Sequence, residues 1–174
     1  MKRKYKISLV GFEWSNDAIT ISNCQYDGKL NAYAAGSVYI GGIIGYSGGS
    51  GSRLTIANCL NSGTLYCGEW DSGAWMGLGG IIGRMEADDI YVLENCLNVG
   101  TVRANNGNYG VGSIVGRLDS GLTYTFTNVY ATNESCLYNG NAVAIGSNAT
   151  SVDETTIITS VARDTIVGAN AQNV

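Results

Sequence analysis

The chain contains no histidine and no proline, and only 14% of its 174 residues are charged. Without histidine there is no Ser-His-Asp or Cys-His machinery, no His-ligated zinc and no imidazole base near neutral pH. The low charge, set beside 45% apolar residues, argues against a disordered chain, because such a composition can bury enough surface to order itself. Positive charge is scarce too. Ten Lys and Arg against fourteen Asp and Glu leave a net charge of −4 and an isoelectric point near 4.6, the wrong sign for a nucleic-acid or anionic-membrane surface. Long apolar runs are missing as well, so nothing reaches the length of a membrane-spanning helix. Met1 to Lys6 is basic, but the apolar stretch Ile7 to Phe12 is too short for a signal-peptide core and no small-residue cleavage site follows. The expectation is one soluble domain with no nucleic-acid partner and no membrane insertion, either cytoplasmic or cut from a longer exported protein.

What the chain has in quantity is repetition. Ile21-Ser22-Asn23-Cys24, Ile56-Ala57-Asn58-Cys59, Leu93-Glu94-Asn95-Cys96 and Phe126-Thr127-Asn128-Val129 align, with the Asn recurring at steps of 35, 37 and 33 residues. Five residues after each Asn stands Gly28, Gly63, Gly100 and then Asn133. Asn is the non-glycine residue best able to adopt positive φ, so this column is expected to be a left-handed turn. A second block recurs between the Asn columns as Gly41-Gly42-Ile43-Ile44-Gly45, Gly79-Gly80-Ile81-Ile82-Gly83 and Gly112-Ser113-Ile114-Val115-Gly116.

Ahead of each Asn the pattern alternates with period two, Ile19 and Ile21, Leu54 and Ile56, Tyr91 and Leu93, Tyr124 and Phe126 lying on one side. That is strand patterning with one buried face, and the other blocks, short and bounded by Gly, Asn and Ser, also read as strand and turn. Three strands per copy make an all-β parallel β-solenoid (β-helix) of about three and a half coils, right-handed by the rule for parallel crossovers. One copy buries too little to stand alone. Residues 1–16 are expected to form an N-terminal cap strand, 17–132 the solenoid repeats and 133–174 a C-terminal cap. Ser151-Val152-Asp153-Glu154 fits a helix capping box there, with Ile157, Ile158 and Val161 as an apolar stripe; a further irregular strand is the alternative.

The alternation of Gly-Gly-Ile-Ile-Gly with Ile-x-Asn-Cys and a following Gly, over about residues 17 to 132, resembles the GLUG repeat of bacterial cell-surface and secreted proteins, which also stands beside the catalytic part of IgA-cleaving metallopeptidases. Ser113 and Val129 depart from that pattern in the last copy. The resemblance implies an exported, multidomain bacterial parent and an extracellular or cell-surface location. It implies no catalysis in this chain, since the metallopeptidase zinc motif needs histidine.

Four groups of residues invite a chemical reading. Cys24, Cys59 and Cys96 share one column and read as a buried ladder of small side chains with Val129 continuing it; five cysteines in all leave no complete pairing. Cys67 and Cys136 fall two coils apart, beyond disulfide reach, so no disulfide is expected. Asn23, Asn58, Asn95 and Asn128 read as inward amides bonding to one another and to nearby backbone, with no catalytic partner base. Arg84 and Arg117, each with an acid two residues on (Glu86 and Asp119), read either as a polyuronate-cleaving site or as mutual neutralisation of an exposed column, the second being preferred. The variable segment 66–78 carries Tyr66, Trp70 and Trp75, and Tyr33, Tyr39 and Tyr109 fall in the neighbouring segments. This is either an aromatic surface for a glycan or a host or cell-surface protein or a loop packed on its own coil. Glu86, Asp88 and Asp89 match no defined calcium loop. No catalytic residue, metal or cofactor is assigned. The reading is a non-catalytic adhesion, binding or spacer module; the rival is a polysaccharide-processing β-helix domain.

Overall fold

The computed structural model describes residues 5–7, 9–11, 13–14, 16–34, 36–49, 51–70, 75–105, 110–131, 136–138 and 141–142. Among them the secondary structure is all β, with no helix. The expected helix at Ser151 to Val161 lies outside the described residues.

The strands collect into four separate sheets, and their pairings are parallel except where Cys136–Tyr138 meets Asn141–Ala142. In the first sheet Ala18–Ser22, Arg53–Ala57, Ile90–Asn98 and Thr123–Ala131 lie side by side. Their register brings Ile21, Ile56, Leu93 and Phe126 into one row. The second sheet pairs Lys29–Ala34, Thr64–Trp70, Thr101–Ala104 and Cys136–Tyr138, aligning Leu30, Leu65, Val102 and Cys136. Val38–Gly41, Met76–Gly79 and Val111–Gly112 form the third, and Ile44–Gly48, Ile82–Met85 and Val115–Leu118 the fourth. Equivalent residues of successive copies are therefore neighbours across each sheet. Of residues 1–16, expected as an N-terminal cap strand, the described strands Tyr5–Ile7 and Glu13–Trp14 pair in parallel with the third and fourth sheets.

Each of the first three copies is divided into more than three strands. The second copy runs Arg53–Ala57, Leu60–Asn61, Thr64–Trp70, Met76–Gly79 and Ile82–Met85. The extra divisions fall at Asn58, beyond which Leu60–Asn61 is a short strand of its own, and at the glycine block, where the chain turns a corner between the third and fourth sheets. A Cβ on Gly79 would lie 2.0 Å from the Ile82 carbonyl oxygen and 2.5 Å from the Gly116 nitrogen, so only glycine lets the two strands approach this closely. The corner residues also bond across copies, Ile43 N to Ile81 O at 3.0 Å and Ile81 N to Ile114 O at 2.9 Å.

Two large apolar cores result, beside a small cluster of Leu60 and Leu97. The first and fourth sheets enclose Leu54, Ile56, Tyr91 and Leu93 with Ile43, Ile44, Ile81, Ile82 and Met85. The second and third enclose Leu30, Leu65 and Val102 with Val38, Ile40, Met76 and Leu78. Ile82 and Met85, three apart, reach the same core, so the two-residue alternation breaks between them and Gly83 and Arg84 both turn to the other side.

Candidate binding surface

The outward residues of the second sheet form the candidate site. Strand alternation sends Leu30, Ala32, Leu65, Cys67, Val102 and Ala104 into the core and leaves Lys29, Asn31, Thr64, Tyr66, Thr101 and Arg103 lining an open groove of about 360 Å³ on the other face. Parallel register puts Lys29, Thr64 and Thr101 in one row across the strands, and Asn31, Tyr66 and Arg103 in another. Tyr33, 70% exposed, stands edge-on to Tyr66 with ring centroids 6.2 Å apart and planes at 76°. Its ring covers Gly68, where a Cβ would come within 2.5 Å of it. The Tyr66 hydroxyl accepts a hydrogen bond from Asn105 Nδ2 at 3.0 Å, which fixes the ring. Of the four expected aromatic residues, Tyr66 is in the groove and Trp75 is elsewhere; the Trp70 side chain and Tyr109 lie outside the described residues.

Trp75 belongs to a second cluster. Half exposed, it stacks on Arg117, whose guanidinium carbon is 3.8 Å from the ring centroid. Arg84 sits 5.2 Å and 5.1 Å over Tyr39 and Tyr46 and donates to the Tyr39 hydroxyl at 3.0 Å. Asp119 bridges both arginines, accepting from Arg84 Nε at 3.2 Å and from Arg117 Nε at 2.8 Å; Glu86 stands farther, 3.5 Å from Arg84. The column was expected to be exposed with one acid per arginine. Instead the arginine and Asp119 side chains are only 13–14% exposed, because Gly77 and Gly83 let the sheets close around them. Burial works against the Arg84 charge, and the bond to Asp119 together with Tyr39 outweighs it, holding the guanidinium above its ordinary pKa. Tyr39 is buried beneath this cluster and does not join the exposed aromatic surface.

No family model matches the chain, and no curated protein matches it. The GLUG resemblance therefore rests on the residues quoted for it. Among solved structures the chain is similar to a candidate immunoglobulin A1 protease from Bacteroides ovatus, at 26% identity over 74% of this chain, with a TM-score of 0.45. The chain spans 38% of the length of that one, and at that score neither fold nor activity is carried across.

The Asn column departs from expectation in two ways. Asn58 Nδ2 donates to Asn23 Oδ1 at 3.3 Å, Asn95 to Asn58 at 3.1 Å and Asn128 to Asn95 at 3.0 Å. These amides line the surface, however, with Asn23 and Asn128 exposed and the middle pair half-buried. They are also the left-handed residues themselves, with φ between 51° and 56°. The Gly28, Gly63 and Gly100 column has no positive φ; it is held to glycine by contact, a Cβ on Gly100 meeting the Gly63 oxygen at 2.2 Å.

The inward amides are Asn61 and Asn98, which the repeat pattern did not single out. Both are fully buried. Asn61 Nδ2 donates to Asn98 Oδ1 at 2.8 Å, Asn98 Nδ2 donates to the Ser113 carbonyl at 2.7 Å, and each Oδ1 accepts the backbone N–H of the glycine two residues on. Asn61 packs on Gly42 and Asn98 on Gly80, where a Cβ would fall 2.8 Å and 2.4 Å from the amide. In the row Tyr26, Asn61, Asn98, Ala131 the amides end at Ala131, and the third glycine block, the last of the three, has Ser113 in place of its second glycine. The Asn-x-Gly spacing shared by Asn61-Ser62-Gly63 and Asn98-Val99-Gly100 was the available signal.

All five cysteines are free thiols. Cys59 and Cys96 are buried and Cys24 is partly so, their Sγ atoms donating to the carbonyls of Ala57, Glu94 and Ser22 at 3.3, 3.4 and 3.3 Å. The hydrogen bond with Cys96, with burial, pushes the Cys59 thiol well above its ordinary value, and burial alone takes Cys67 up to about 11. Asp89 is buried and committed to the fold, accepting from Ser52 N at 3.0 Å and lying 3.3 Å from the Tyr91 hydroxyl. Among the described residues no group of three His, Cys, Asp or Glu side chains could hold a metal ion.

Proposed function

We propose that the chain is a non-catalytic β-solenoid module, one coil per repeat, that acts at the bacterial cell surface or outside the cell within a larger protein and binds glycan on the outer face of its second sheet. The coil reading is supported by equivalent residues pairing in parallel at every repeat, as in the row Ala18, Arg53, Ile90, Thr123. The location is supported only by the GLUG-like order of blocks.

The observation that carries the binding reading is the exposed Tyr33 ring set edge-on to Tyr66 beside a groove of amide, hydroxyl and cationic side chains. An aromatic plane with polar neighbours suits the apolar face and the hydroxyls of a sugar ring. A polysaccharide-processing enzyme needs an acid and a base converging on one groove, whereas Asp119 is held by two arginines and Asp89 by backbone and Tyr91. A pure spacer gains nothing from an exposed Tyr33 ring braced on a half-buried Tyr66.

The test is a glycan and cell-surface-protein array probed with the chain and with a Tyr33→Ala, Tyr66→Ala double variant. Binding to a glycan that falls at least about tenfold in the double variant, with the melting curve within a few degrees of the parent, is the expected result. Capture of no glycan, or capture indifferent to both tyrosines, defeats the reading.

A further inference from the structure

We propose that the ligand of this groove is an acidic oligosaccharide, recognised through carboxylates on its sugars and lying across the strands of the second sheet. The inference rests on the glycan-binding reading and adds the chemical class. In a chain of net charge −4, the six lining residues include two cations, Lys29 and Arg103, and no carboxylate. Both cations are exposed. The acid closest in sequence, Asp27, is exposed two residues before Lys29 and does not line the groove.

The two cations are also placed apart in a useful way. Lys29 is on the first strand of the groove and Arg103 on the third, two residues farther along. Strand spacing and rise put their Cα atoms roughly 12 Å apart. Thr64 and Tyr66 lie between them on the middle strand. A chain of sugars crossing the strands would thus meet a cation, then hydroxyl and ring, then a second cation. Arg103 supplies a planar fork that matches a carboxylate in two parallel hydrogen bonds, and Lys29 supplies a point charge that accepts a range of positions. Asn31 and Thr101 offer donors and acceptors to sugar hydroxyls. A neutral glycan would use the ring and the amides but leave both charges idle.

The experiment is calorimetric titration of the chain with oligomers of galacturonate, of mannuronate and of hyaluronan, each against its methyl-esterified counterpart, in a buffer containing EDTA. At least one acid oligomer should bind about tenfold or more tightly than its ester, and added salt should weaken the acid but not the ester. Arg103→Gln and Lys29→Gln should each weaken the acid about five- to tenfold, a clearly larger factor than any loss of ester binding, with the melting temperature unchanged. Esters binding as well as acids, or both charge variants binding like the parent, overturn the acidic class while leaving the tyrosine-dependent binding face standing. If the acids, their esters and every glycan of the array fail to bind, both readings fall together.

Discussion

Replacing Asn98 by Asp changes one NH₂ to an oxygen at a site with no solvent, and it tests the buried amide pair without altering its shape. Asn98 Oδ1 accepts from Asn61 Nδ2 and Gly100 N, contacts a carboxylate would keep. Its Nδ2 donates to the Ser113 carbonyl at 2.7 Å, and an ionised Asp would place a negative oxygen against that carbonyl instead. Burying an uncompensated charge costs about 3 to 5 kcal/mol; the two remaining donors favour the low end, so we expect a loss of about 3 kcal/mol at neutral pH. By linkage that loss corresponds to a folded-state carboxyl raised by about two pH units above its unfolded value near 3.9. The stability of the protonated variant is then complete below the unfolded value and lost as pH rises through the folded one. Protonation restores a donor toward Ser113, so the penalty relative to the parent should shrink to about 0.5 kcal/mol at about pH 4. Urea unfolding of parent and variant across that range measures it. A penalty under about 1 kcal/mol at neutral pH, or one that does not change on acidification, would refute the account of Asn98 as a donor to Ser113.

Two other expectations follow from the same structure. Asn58 adopts φ 54° and bonds to Asn residues on both sides, so Asn58→Val, with a β-branched residue at positive φ, should cost about 3 kcal/mol while Asn58→Gly, which tolerates the backbone, should cost about 1 kcal/mol; equal losses in chemical denaturation would show that the backbone conformation is not what selects Asn. Burial keeps the Cys67 thiol protonated to about pH 11, against an ordinary value of 9.0. The stability it contributes is whole below pH 9 and is lost as pH climbs through the folded value, about 2 to 3 kcal/mol. Tyr91, also raised by burial, adds to the alkaline loss, and a chain equally stable at about pH 8 and about pH 11 would contradict both.

The strands were legible because alternation writes itself directly into residue type: Leu54 and Ile56 inward, Arg53 exposed, are readable without coordinates. The parallel neighbours followed from the repeat, since residues one period apart have the same environment. What could not be read was which of two Asn-and-Gly columns carries the positive φ. Both contain residues that tolerate it, and the choice depends on hydrogen bonds that exist only once copies lie side by side. The corner within Gly79-Gly80-Ile81-Ile82-Gly83 was hidden for a similar reason: three glycines announce a close approach but not what approaches. Tyr33 and Tyr66 were recognisable as surface aromatics of the variable segments, whereas Trp75 stacked on Arg117 needed the third and fourth sheets to meet before the two could be neighbours.

The glycine contacts reach from one repeat into the next: the space Gly79 must leave empty is bounded by Gly116 and Ile114 of the next copy as well as by its own Ile82, and that of Gly100 by Gly63. A copy is thus policed by its neighbour as well as by its own sequence. Duplicating a whole repeat carries lock and key together and lengthens the array without any fresh steric problem, while drift in a lone copy is punished at the seam it shares. Growth by whole units is easy for such a chain, and gradual divergence of one unit is hard.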